Sequence, residues 1–280
     1  MRKLYILLAL CIALMGIGDG YAQRTRGKKK SRSSAVMKKN KRHHKKRGKT
    51  KRIVAKKAPK PDPRLLDPDF DPYLQCEDTC NHVHGIDLSH YQGEVFWETV
   101  GENTKMAYVY LKATEGGDRI DERYERNIEL AHRHGLKVGS YHFFRPRTPL
   151  YQQLENFKTQ CRPGEQDLIP MVDVEESGCR NASRSELQKS LAEFMELMKA
   201  EYGCYPLLYS QYRFYNEKLA PEFNKYFIFM ARYSSSEPKL RGNGKHNIWQ
   251  YSERGKVSGI KGHVDLDRVV NGTTFNDIKW

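Results

Sequence analysis

The stretch LIPMVDVEESG, Leu168 to Gly178, begins apolar and ends in acid, with Asp173 and Glu175 two residues apart. In an extended strand, residues i and i+2 point to the same face. The two carboxylates then converge on one side, where repulsion raises at least one pKa and leaves a proton donor beside an ionised partner at neutral pH. Such a pair suits acid-assisted cleavage of a glycosidic bond. A lone D-x-E is equally compatible with a helix cap or a surface ion pair, so the surrounding elements must decide.

From about residue 83 the sequence alternates strand and helix signals. VHGIDLS, MAYVYLKA, LKVGSYHFF, LIPMVDVE, YPLLYS, YFIFMARY, NIWQYS and HVDLD read as strands. Tyr124, Ile128 and Ala131 share a helical face closed by Gly135. Thr148-Pro149 reads as an N-cap with proline at the first helical position, opening a helix through about Thr159. Ser183 to Glu186 form a capping box ahead of Leu187, Leu191, Phe194 and Met198. Repeated β/α units imply a parallel sheet with crossovers. No G-x-G-x-x-G follows any strand, which disfavours a dinucleotide-binding sheet.

Asp87, Lys112, Tyr141, His142, Asp173, Glu175, Arg232, Trp249, Tyr251 and Asp265 fall at the C-terminal ends of the strands. In a barrel those ends form one rim, where barrel enzymes place their chemistry. The expected fold class is therefore α/β, a TIM-like barrel whose closure brings Asp87 on the first strand beside Asp265 on the last. Asp87, Asp173, Glu175 and Asp265 are the expected catalytic acids. Lys112, Tyr141, His142, Arg232, Trp249 and Tyr251 are the expected substrate-binding residues, with core packing as the alternative reading of His142. A calcium or magnesium site is the weaker reading of the acids, because the strands supply few carbonyl-bearing side chains. No metal or cofactor is expected.

The net charge of +15 is unevenly spread. Residues 1–60 hold 21 Lys+Arg and one acid, Asp19, whereas residues 61–280 hold 28 Lys+Arg against 33 Asp+Glu. The body is mildly acidic and the basic character belongs to a tail, which argues against nucleic acid as the partner. Arg2, Lys3, the apolar run Leu4 to Met15 and the small residues Gly20 and Ala22 read as an export signal, residues 1–22, cleaved near Ala22. Residues 23–75 read as a disordered basic tail and a Pro/Asp-rich linker, and 76–280 as the folded domain. The expected location is periplasmic or extracellular, with the tail drawn to anionic wall or membrane-surface polymers. His43-His44 amid Lys and Arg reads as a solvated pair.

GIDLSHYQG, LKATEGG, GLKVGSYHFF, MVDVEE and IWQYSERGKVSGIKGHVDLDRVVNG together resemble glycoside hydrolase family 25, the lysozymes related to the fungal and streptomycete muramidases. The resemblance covers about residues 83–272. It implies a barrel of five β/α units followed by three strands, and cleavage of the β-1,4 bond between N-acetylmuramic acid and N-acetylglucosamine in peptidoglycan. By motif, Glu175 corresponds to the general acid. Asp173 corresponds to a partner that either orients the substrate's acetamido group or stabilises developing positive charge. Asp87 and Asp265 correspond to flanking acids, and the attacking group is either a carboxylate or the substrate's own acetamide. Asp267 departs from the Asn of many members and shares a strand face with Asp265. The rival reading is a non-catalytic wall-binding module on the same barrel, against which the intact acids argue.

Loss of the signal removes Cys11 and leaves five cysteines. If their strands are neighbours, Cys161 and Cys204 share the bottom rim, so a Cys161–Cys204 bridge is expected, with Cys76–Cys80 as a second and Cys179 unpaired. Zinc on Cys76, Cys80, His82 and His84 is the lesser reading in an exported chain.

Overall fold

The computed structural model describes residues 84–280. The expected export signal, basic tail, linker and Cys76–Cys80 pair lie outside them. Strand β1 (His84–Leu88) leads through a 3₁₀ turn to helix α1 (Trp97–Gly101), then β2 (Met106–Glu115) and the short β3 (Arg119–Ile120). There follow α2 (Tyr124–Arg133), β4 (Lys137–Phe143), α3 (Leu150–Lys158), β5 (Met171–Asp173), α4 (Glu176–Cys179) and α5 (Arg184–Tyr202). The last elements are β6 (Leu207–Gln211), α6 (Tyr212–Phe214), β7 (Ile228–Ala231), β8 (Ile248–Gly255) and β9 (Val264–Val269).

Eight strands form a ring in the order β1-β2-β4-β5-β6-β7-β8-β9, closed by the pairing of β9 with β1. Neighbours from β1 round to β8 are parallel; β9 runs antiparallel to both β8 and β1. This mixed α/β barrel-like sheet is the architecture expected from the strand and helix pattern. β3 folds back on the end of β2 as a hairpin outside the ring.

Strand alternation divides the core in two. Tyr108, Tyr110, Met171, Leu207, Phe229, Ile248 and Val269 pack together inside the ring. Their neighbours Val109, Val138, Val172, Leu208, Ile228 and Met230 face outward and pack with Ile128, Leu154, Phe157, Leu191 and Phe194 of the helices. The inner rings need space that only glycine leaves. A Cβ at Gly85 or at Gly139 would stand 2.3 Å from the ring of Tyr108 or Tyr110.

Ser183 caps α5 as expected: its Oγ accepts from the Glu186 amide, and Glu186 reaches back to the Ser183 amide at 2.8 Å. Helix α3 starts one residue later than expected, with Pro149 as its N-cap and no side-chain bond from Thr148. Gln153 supplies local order there instead, donating to the carbonyls of Arg145 and Thr148. The expected Cys161–Cys204 bridge is not formed: Cys161, Cys179 and Cys204 are free thiols. Cys161 is buried in the layer between sheet and helices, whereas Cys204 packs against the inner cluster, so the two side chains serve different layers.

Candidate active site

The acidic rim is built by strand register. Asp173 ends β5, flanked in register by Phe143 of β4 and Tyr209 of β6. Glu175 follows in an extended conformation (φ −118°, ψ 158°), which carries its side chain the same way as that of Asp173. On the other side of the ring, Asp87 of β1 lies directly opposite Asp265 of β9. Asp265 is near the start of its strand, not the end. It reaches the same rim because β9 runs backwards. Asp87, Asp173, Glu175 and Asp265 all line one cleft of about 430 Å³.

Neutral groups orient these acids. Gln250 Nε2 donates to Asp87 Oδ2 at 2.6 Å, while Gln250 Oε1 accepts from the hydroxyls of Tyr209 (2.9 Å) and Tyr233 (2.8 Å). Two phenol donors on one oxygen fix which end of the amide faces Asp87. Ser177 Oγ donates to Glu175 Oε2 at 3.1 Å. Asp173 is buried, and its Oδ1 has no hydrogen-bond partner among the described residues.

Burial dominates the ionisation of the rim. It raises Asp173 well above the usual carboxylate range, with the charge of Glu175 adding to it. Glu175 is also raised by burial, against the hydrogen bond from Ser177 and the charges of Lys112 and Arg145. Asp87 is pushed up to about 7 by burial, with the Gln250 bond opposing and the charge of Glu175 adding. Burial and the charge of Asp87 push Asp265 up to about 8. Asp267, fully buried on the same strand, is raised by burial and then by Asp87 and Asp265.

Of the expected substrate-binding residues, Tyr141 lines the cleft and the others do not. Lys112 stands behind the lining, 2.8 Å from Glu115 and over the Phe143 ring. His142 is fully buried on the helix side, bonded to Thr114 Oγ1 (2.7 Å) and Gln153 (3.1 Å) and packed on Phe157 and Phe194. Its alternative reading as a core residue fits this position. Arg232 lies over the Tyr212 ring and donates to the Glu237 carbonyl. Trp249 and Tyr251 are buried in the outer layer against Arg268, with Trp249 Nε1 donating to the Arg232 carbonyl. The physical cause is parity: neighbouring residues in a strand face opposite ways, so Tyr141 inward sets His142 outward, and Gln250 inward sets Trp249 and Tyr251 outward.

Sequence reasoning missed Tyr91, Glu115, Arg119, Phe143, Arg145, Tyr209 and Tyr233, all of which line the cleft. Tyr91 and Tyr233 are exposed there, giving the aromatic faces that Trp249 was expected to give. Phase alone points to Tyr209 and Gln250, since each occupies the inward parity of its strand. Glu115 stands inside the LKATEGG motif, but its partner Arg145 is thirty residues on, and no local pattern joins them.

A barrel whose mouth gathers four carboxylates and exposed tyrosines has the groups that glycoside hydrolysis uses. The sequence profile of Glycosyl hydrolases family 25 matches residues 86–260. The chain belongs to that family, and it is a glycoside hydrolase of the lysozyme type. It is similar to the uncharacterized protein YegX of Escherichia coli K12, with 34% identity over 68% of this chain and 70% of that protein. It is also similar to lysozyme M1 of Streptomyces globisporus, 30% identical over 66% of this chain and 67% of that protein. Among solved structures, the bacterial lysozyme from Streptomyces coelicolor superposes with a TM-score of 0.63 at 29% identity, covering 71% of this chain and 96% of that one. The family 25 glycosyl hydrolase from Bacillus anthracis gives 0.62 at 28%, covering 68% and 89%.

Proposed function

We propose that this family 25 enzyme cleaves the β-1,4 bond between N-acetylmuramic acid and N-acetylglucosamine in peptidoglycan by acid-assisted hydrolysis. The observation that carries the reading is the convergence of Asp87, Asp173, Glu175 and Asp265 on one cleft, with burial raising the pKa of each. The lysozyme names borne by similar proteins support the substrate. Glu175 is the general acid: it is only partly buried, faces the cleft and keeps a raised pKa, so it can give a proton to the departing sugar oxygen. Asp173, deeper and with a bare Oδ1, accepts from the substrate's acetamido N–H. Asp87 and Asp265 flank the pair and position substrate from the opposite side of the cleft. Tyr91 and Tyr233 offer ring faces to the sugars.

The same reading takes the barrel as five β/α units followed by three strands. It takes residues 1–22 as an export signal removed near Ala22, and 23–75 as a basic segment that holds the enzyme on anionic polymers outside the cytoplasm. The test is loss of turbidity of purified peptidoglycan. Glu175→Gln should fold normally and lose about 10²–10⁴ in rate. Near wild-type clearing by Glu175→Gln overturns the assignment, and wall binding without cleavage by the wild type leaves a binding module on the same barrel.

A further inference from the structure

One wall of the cleft contrasts with the acidic rim. Glu115, at the end of β2, binds three cations: Lys112 Nζ at 2.8 Å, Arg119 Nη1 at 3.0 Å and Arg145 Nη2 at 2.5 Å. Its side chain is 12% exposed, and that of Arg119 is 73% exposed. A single carboxylate against three fixed cations leaves a surplus of about two positive charges, on a wall that Arg119 and Arg145 present to the cleft. The backbone holding them is cross-bonded. Asn156 Nδ2 donates to the carbonyls of Gly116 (3.0 Å) and Arg119 (3.1 Å), pinning the β2–β3 hairpin, and the Phe143 ring lies beneath both Lys112 and Arg145.

Arg119 spends Nη1 on Glu115, and its remaining N–H donors stand in the open cleft. Arginine presents those donors in a fork that matches a carboxylate. The other ionisable side chains lining the cleft are acids and phenols, so an anionic group on a bound glycan meets its cationic partners at this wall.

Building on the proposed activity, we propose that Arg119 and Arg145, held by Glu115, form a subsite for a carboxylate carried by the glycan. Two sources share that chemistry. One is the carboxylates of the stem peptide, present when the lactyl group is in amide linkage. The other is the free lactyl carboxylate, exposed when the stem is removed.

The test reads binding rather than turnover, so that it stands apart from the cleavage assignment. Dissociation constants are measured by calorimetry on Glu175→Gln and on Glu175→Gln with Arg119→Ala. The ligands are muropeptide fragments with intact stems, fragments stripped of stems by an amidase, and both sets with their carboxylates converted to amides. In Glu175→Gln, charged fragments should bind more tightly than amidated ones. Arg119→Ala should shrink that preference about ten-fold, the scale of one charge-assisted contact, and Arg119→Lys should restore part of it. A preference confined to stem-bearing fragments identifies the stem, and one confined to stripped fragments identifies the lactyl group. Equal loss of affinity for charged and amidated ligands overturns the subsite, because Arg119 would then only support the hairpin. Absence of any charge preference in Glu175→Gln also overturns it.

Discussion

Glu115 on β2 and Asp173 on β5 line the same cleft and are both withdrawn from water, yet they end in opposite states. Burial works against ionisation of Glu115, but the bonds from Lys112 and Arg145 prevail and hold it down to about 2. Asp173 is more deeply buried, the charge of Glu175 adds to that, and it is raised. The difference teaches that burial raises a carboxyl group of this cleft unless bonded cations outweigh it. One wall holds a permanent anion within a basic cluster. The other holds carboxyl groups whose ionisation burial disfavours.

The sharpest way to break that contrast is Asp173→Asn. Nearly isosteric, it should cost about 10²-fold or more in kcat on peptidoglycan while leaving stability at pH 7 unchanged or higher, since a group disfavoured as an anion is removed. Full activity in this variant would end the distinction between the walls. The matching change on the other side, Glu115→Gln, should act on the fold. Stripping three cations of their shared partner should lower unfolding free energy by about 2 kcal/mol, read as a shifted denaturant midpoint with the slope unchanged. An unshifted midpoint would mean the cluster is not held by Glu115.

The smallest effect is on the pH dependence of stability. Asp265 rises from an ordinary 3.8 to about 8 on folding, so the native state binds more protons than the unfolded chain between those limits. Its contribution is fully present below about 4 and is lost as pH rises through about 8. His142 and His246 act in the opposite sense. Burial lowers each to about 4, so their contribution is present above 6.5 and is lost as pH falls toward 4. Taking the difference between wild type and Asp265→Asn cancels the histidines. Between pH 5 and pH 8 the melting temperature of the wild type should fall steadily relative to that of the variant. Parallel curves would show that Asp265 is ionised at neutral pH.

The acidic wall was legible in the sequence and the basic wall was not. Asp173 and Glu175 announce themselves by i, i+2 spacing at the end of an apolar run, and Asp87 with Asp265 follows from closing a ring of β/α units. Three physical facts hid the rest. Side-chain phase turns on a single residue, so Tyr141 faces the cleft while its neighbour His142 faces the helix layer. Irregular register in β8 after Gln250 further blurs which of Trp249, Gln250 and Tyr251 faces in. The direction of β9 is set by tertiary pairing, which no local pattern records. The Glu115 cluster joins β2, β3 and the end of β4, and only folding assembles it. The cysteines failed for a related reason: a shared end of the barrel does not imply a shared packing layer.

The reversed course of β9 has a further consequence, for how the molecule comes into being. Asp87 and Asp265 belong to the first and last strands of the described ring, and they meet only when β9 slots between β8 and β1. Such distant contacts are slow to form. A nascent chain that has finished seven strands therefore still lacks the eighth and one of its four rim acids. Closing the described ring and completing its acidic cleft are thus one event.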